Sequence, residues 1–117
     1  HLVEMTRASG VDAELELAAL PILDGAVDTV LAGIFSSLQP ANVRLRRALH
    51  NPEAFINHPR YPLLFDPQTA GGLLASVPAE SVEACLAELH ALGYLKAVRI
   101  GRILPQGEAL EPIRLIE

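Results

Sequence analysis

The stretch Leu64-Phe65-Asp66-Pro67-Gln68-Thr69-Ala70-Gly71-Gly72-Leu73-Leu74 is the centre of the chain. An apolar run enters it, a polar turn with two glycines interrupts, and an apolar run leaves. Asp66-Pro67 starts a turn, because proline presets its own φ and biases the preceding residue away from helical angles. Gly71 and Gly72 permit backbone angles or close approaches that a Cβ would forbid. Gln68 and Thr69 place an amide and a hydroxyl at the tip. Two readings of the turn stand level: successive backbone N–H groups presented to a phosphate, or a tight strand connection. It is not a Walker loop, since the lysine is missing and the turn leads toward an apolar run that reads as a strand.

Downstream of the turn, Leu73 to Val77 reads as a buried central strand that ends at Pro78. Glu80 to Leu92 is the clearest helix. Val82, Cys85, Leu86, Leu89 and Leu92 form its apolar stripe, Glu80 and Glu83 suit its positive end, and Gly93 stops it. Tyr94 to Leu104 and Ile113 to Ile116 read as closing strands around a Pro105–Pro112 turn region. Gly101 marks a bulge or close packing in the first of them.

Upstream, Asn51 to Pro62 holds three prolines and reads as an irregular loop. Pro40 suits the first turn of a helix, and Phe35 to Gln39 is a polar connection before it. Asp24 is placed to cap a helix whose stripe is Val27, Val30, Leu31 and Ile34, with Gly33 near its end. Val11 to Leu17 alternates apolar and acidic residues, the pattern of a half-buried strand with a wet face. His1 to Ser9 reads as the tail of a helix with Leu2, Met5 and Ala8 on one side and Gly10 as its stop. The order helix, strand, helix, helix, loop, strand, helix, strand, strand predicts an α+β fold with a mixed sheet covered by helices.

The 117 residues suit one domain. A hydrophobic fraction of 50% argues for a real core, and with aromatics at 4% that core must come from Leu, Val, Ile and Ala. A net charge of −5 repels phosphate backbones and sets nucleic acid aside as a partner. No run is long enough for a membrane span. Cys85 is the single cysteine, which rules out an internal disulfide and suits a reducing cytosol. It has no His or Lys beside it in sequence to activate it, so it reads as core packing. His1, His50, His58 and His90 lack metal-ligand spacing, and Asp66 alone makes a poor Mg²⁺ site, so no metal site is expected. Arg44, Arg46 and Arg47 are the one basic cluster, suited to a phosphate or partner domain or simply to a solvated helix face.

The run Asp66-Pro67-Gln68-Thr69-Ala70-Gly71-Gly72-Leu73-Leu74 resembles the Asp-Pro-Gln-Thr-Ser-Gly-Gly-Leu-Leu signature of the selenophosphate synthetase (selenide, water dikinase) family. His1-Leu2 with Glu4-Met5 and Gly10-Val11, and the Ile100-Gly101-Arg102-Ile103 run, resemble that family's flanking segments. Two positions depart: Ala70 stands where the family commonly has Ser, and Gln39 falls where a Gly-Gly-Thr motif would put Thr, three residues before the matching Asn42.

The resemblance implies residues 1–117 as one domain, the C-terminal part of a two-domain or fused enzyme of the aminoimidazole-ribonucleotide-synthetase superfamily. It implies a three-layer α/β/α arrangement, ATP and Mg²⁺ as cofactors, and conversion of ATP, selenide and water to selenophosphate, AMP and phosphate. Catalytic residues and most metal ligands would lie in an N-terminal ATP-binding domain, leaving this domain inactive alone. Gln68, Thr69, Gly71 and Gly72 would be near substrate or phosphate, Asp66 and Pro67 would shape the turn, and Asn42 would be a further site residue. A cytoplasmic homodimer is implied. Two alternatives stand beside it: another ATP-using member of the superfamily, or a non-catalytic interaction module.

Overall fold

The computed structural model describes residues 1–68 and 71–117. Among them, three strands form one mixed sheet flanked by helices, an α+β arrangement consistent with the expected three-layer fold. Helix α1 (Leu2–Ser9) closes at Gly10, whose left-handed φ of 62° lets its N–H turn back onto the last carbonyls of the helix. Its buried side is Leu2, Val3 and Thr6 rather than Leu2, Met5 and Ala8. Thr6 can be buried because its hydroxyl donates to Leu2 O at 3.0 Å, within its own helix.

Strand β1 (Val11–Glu16) lies at the centre, with Ala13, Leu15 and the following Leu17 buried on one face. It pairs antiparallel with β2 (Gly101–Pro105), Leu15 facing Gly101, and parallel with β3 (Ile113–Ile116), Leu15 facing Leu115. Gly101 is the close-packing position expected: a Cβ there would fall on the Glu14 carbonyl oxygen. The turn between β2 and β3 is tied back by Gly107, whose N–H donates to Asp12 Oδ2 at 2.8 Å.

The acidic face of β1 is half-buried rather than wet. Arg102, the cross-strand neighbour of Glu14, donates from Nε to Glu14 Oε2 at 2.6 Å and lies over it. That hydrogen bond and the Arg102 charge hold the Glu14 carboxyl below the usual carboxylate range. A lowered folded-state pKa gives stability that is complete above the unfolded value, about 4.3, and is lost as pH falls through the folded one. Glu14→Gln should therefore lower the midpoint of thermal unfolding at pH 7, and the difference from the parent should close on acidification below about pH 4. A difference that stays constant from pH 7 to pH 3 would contradict this.

The outer edge of β3 is occupied by the chain around residue 50. Leu49 forms a parallel bridge with Ile113, and His50 N–H donates to Ile113 O at 2.7 Å. The Asn51 side chain supplies the next rung. Its Oδ1 accepts from Leu115 N–H and its Nδ2 donates to Leu115 O, both at 2.9 Å. The segment that follows contains short 3₁₀ turns at Pro52–Ala54 and Tyr61–Phe65, so the expected loop is ordered locally. Arg60 anchors it by donating from Nη1 to the carbonyls of Leu17, Ala18 and Leu20, just beyond β1. Leu49, Tyr61 and Phe65 then join Leu15, Ile113 and Leu115 in one core, with Tyr61 and Phe65 edge to face at 5.3 Å.

Several expectations are corrected. Helix α2 (Ala26–Leu31) starts at Gly25, in the left-handed region at φ 82°, and Asp24 makes no side-chain cap. Leu31 and Ile34 of its expected stripe are exposed. Leu73–Val77 is not a strand: it lies outside the sheet, with Leu73 fully exposed. Both sides of β1 are taken and Leu49–Asn51 occupies the far side of β3, which leaves the outer edge of β2, and Leu73–Val77 does not pair there. Helix α4 (Val82–Ala91), preceded by a 3₁₀ turn at Ala79–Ser81, forms where expected, but Val82, Cys85, Leu86 and Leu89 are only half-buried and Leu92 is exposed. Cys85 is thus at the margin of packing, not in the core. Tyr94–Arg99 turns back onto the end of α4, with Tyr94 N–H donating to Leu89 O at 2.9 Å, so the strand expected over Tyr94–Leu104 begins only at Gly101. The accessible surface is 8439 Å², against about 6,200 Å² for a compact monomer of this mass. The difference fits an apolar segment lying outside the packed body.

Candidate functional site

The glycine-paired turn is entered from the core. Tyr61 and Phe65 are buried, Asp66 leaves the 3₁₀ turn in an extended conformation, and Asp66 N–H donates to Leu63 O at 3.2 Å. Asp66 and Gln68 are exposed and Pro67 is half-buried. Thr69 and Ala70 lie outside the described residues. A buried anchor therefore presents Asp66 and Gln68 at the surface, open to contact with anything beyond the chain.

Gly72 has no positive φ. A Cβ on Gly71 would meet Oε1 of Gln68, the end of a flexible side chain that can move aside. A Cβ on Gly72 would meet nothing within 4 Å. Of the two readings of these glycines, unusual backbone angles or close approach, the first does not apply at Gly72. Its φ is one that any residue can adopt, and the space beside it is open.

Helix α3 (Gln39–Val43), with Pro40 in its first turn, packs against the Tyr61–Phe65 turn. It carries Asn42, which is half-buried. Gln39, the position where the resembled family has Thr, is 9% exposed and donates from Nε2 to Pro62 O at 3.0 Å. The Gln39 amide therefore joins α3 to the segment that leads into Asp66. Sequence reasoning placed Gln39 in a polar connection and missed this role. The signal available was an amide just before a helix-opening proline, whose partner lies 23 residues away.

Arg44, Arg46 and Arg47 fall on a 3₁₀ helix, Arg44–Ala48, and are exposed. Arg46 borders two neighbouring concavities that share Ile56 and Tyr61. Burial pushes the Tyr61 phenol up, the Arg46 charge draws it partly back, and Glu53 adds to the rise. Among the described residues, no group of three or more His, Cys, Asp or Glu side chains is placed to hold a metal ion. Among the described residues Asp66 belongs to no such group, and one carboxylate alone is a poor Mg²⁺ site. Among them, too, no helix is long and apolar enough to cross a membrane.

The fold and the turn define an α+β domain with a glycine-rich polar loop at its surface, held by a buried aromatic anchor. Residues 1–111 match the family described as AIR synthase related protein, C-terminal domain, and the chain belongs to that family. It is 33% identical over 112 residues to the selenide, water dikinase of Clostridioides difficile (strain 630), covering 92% of this chain and 31% of that protein. It is 35% identical over 111 residues to the selenide, water dikinase of Geobacter metallireducens, covering 92% of this chain and 31% of the relative. A third selenide, water dikinase, from Nitratidesulfovibrio vulgaris (strain DSM 19637 / Miyazaki F), is 34% identical over 117 residues, covering 97% and 30%. The chain thus spans under a third of the length of these relatives.

Proposed function

We propose that this chain is the C-terminal domain of an ATP-dependent selenophosphate synthetase, forming one wall of the active-site cleft and inactive alone. The observation that carries the reading is Gly72: an exposed glycine in the Asp66–Gly72 signature that the chain's own backbone does not require. A Cβ is left out where something outside this domain must come close, and a glycine-paired turn can offer its backbone N–H groups to phosphate. Gln68 and Thr69 would add side-chain hydrogen bonds, Gly71 would share the backbone cradle, and Asp66 and Pro67 would set the turn. Asn42, on the helix packed behind it, would support the same wall. ATP and Mg²⁺ would be held mainly by an N-terminal ATP-binding domain, which the likeness to full-length selenide, water dikinases supports. Leu73, Leu92 and Leu95, all exposed, would meet that domain or a second copy of the protein, and the assembly would work in the cytoplasm.

The test is made in the complete protein that carries this domain. Gly72→Val should leave the unfolding free energy within about 0.5 kcal/mol of the parent, as an open surface site allows. The same variant should cut selenide-dependent formation of AMP from ATP by tenfold or more. Unchanged turnover would overturn the assignment of the turn. Turnover with another nucleophile but not with selenide would favour a different ATP-using member of the superfamily.

A further inference from the structure

We propose a second binding site, for a small planar oxyanion such as an aryl carboxylate or aryl phosphate, in the cavity between α3 and the Tyr61–Phe65 turn. The cavity has a volume of about 260 Å³, near the lower end for small-molecule sites and enough for one or two rings. Its walls are apolar: Phe35, Val43, Ile56 and Phe65, with the ring of Tyr61 beside them. Two polar side chains break that lining, Gln39 and Arg46. Gln39 Nε2 is committed to Pro62 O, which leaves Oε1 as an acceptor for a ligand N–H or O–H.

Arg46 supplies the charge. Among the described residues its guanidinium forms no ion pair, although Glu53 and Glu111 border the adjoining concavity together with Arg46 and Arg47. An exposed guanidinium without an ion pair among the described residues, lining an open apolar concavity, selects a ligand with an oxyanion at one end and a flat apolar body at the other. Its fork matches carboxylate or phosphate, and its plane tolerates an aromatic neighbour. Inorganic phosphate would use only half of this site, and a neutral aromatic only the other half. The site is separate from the glycine-paired turn, but Phe65 is the residue immediately before Asp66, so the cavity wall and the turn share one short segment.

Binding of the fluorescent probes 1-naphthoate and 1-naphthyl phosphate to this chain tests the proposal, with 1-naphthamide and inorganic phosphate as controls. Saturable binding of one or both anionic probes is expected, at least tenfold tighter than either control. Arg46→Gln, at an exposed position where folding should be unaffected, should weaken the anionic probes about tenfold and leave the amide unchanged. Ile56→Asn should weaken the anionic probes and the amide alike by removing apolar contact while circular dichroism stays native. No binding of either anionic probe at millimolar concentration would overturn the site. Equal affinity for the amide, equal affinity for inorganic phosphate, or insensitivity to Arg46→Gln would each do the same.

Discussion

Replacement of Gly101 by alanine is expected to destabilise the chain by about 3 kcal/mol, the upper range for forcing an extra methyl into packed structure. The new Cβ would fall on the Glu14 carbonyl oxygen, with Glu14 C at 3.0 Å and Leu15 Cα at 3.2 Å. All three atoms are backbone of the central strand, so no side-chain rotation relieves the overlap. Either β2 moves away from β1 or the ladder breaks at Leu15–Gly101 and carries Glu14–Arg102 with it. Urea unfolding measures the loss. A change under 0.5 kcal/mol would show that the two strands do not approach as described. Gly93→Ala is a useful contrast, because its left-handed φ of 95° is strained for alanine but the space around it is open. Its cost should be nearer 1 kcal/mol.

Asn51→Ala should cost about 2 to 4 kcal/mol. The substitution strips hydrogen bonds from both the N–H and the C=O of Leu115, a residue that is 1% exposed. Each buried backbone group left without a partner costs about 1–3 kcal/mol. Asn51→Asp separates the two bonds. The carboxylate can still accept from Leu115 N–H but faces Leu115 O with a second acceptor, so this variant should be no better than alanine. Amide hydrogen exchange gives a local readout, with Leu115 losing protection in both variants while Ala13, at the far end of the β1–β3 pairing, keeps more of its own. Unaltered exchange at Leu115 would mean that another group covers this edge.

Asn51 also shows where sequence reading stops. The segment Asn51–Pro62 reads as a loop because three prolines interrupt it, and that reading is right about the absence of long regular elements. Nothing local in it says that one carboxamide completes a sheet edge 64 residues away, or that Arg60 clamps three carbonyls beyond β1. Such contacts depend on which strands lie side by side. The site follows the same division. The turn at Asp66-Pro67 was legible in the sequence, since proline fixes its own φ and biases the residue before it away from helical angles. That Gly72 is unneeded by its own backbone required the surrounding space to be known.

What the sequence determined by itself is the local grammar: α1 and its Gly10 stop, the alternation that makes β1, the Pro40 start of α3, the helix after Pro78 and the closing strand Ile113–Ile116. These follow from periodicity, φ preferences and chain breakers, all carried by neighbouring residues. Tertiary structure decided the partners. Leu73–Val77 has the composition of a buried strand, yet a strand exists only where it pairs, and this segment joins no edge: β2, β3 and Leu49–Asn51 hold those of β1 and β3, and it does not add to the outer edge of β2. The acidic face of β1 likewise looks wet in sequence, and Glu14 on it is covered because register places Arg102 across from it. Register joins residues 88 apart, and no local preference encodes a distance of that kind.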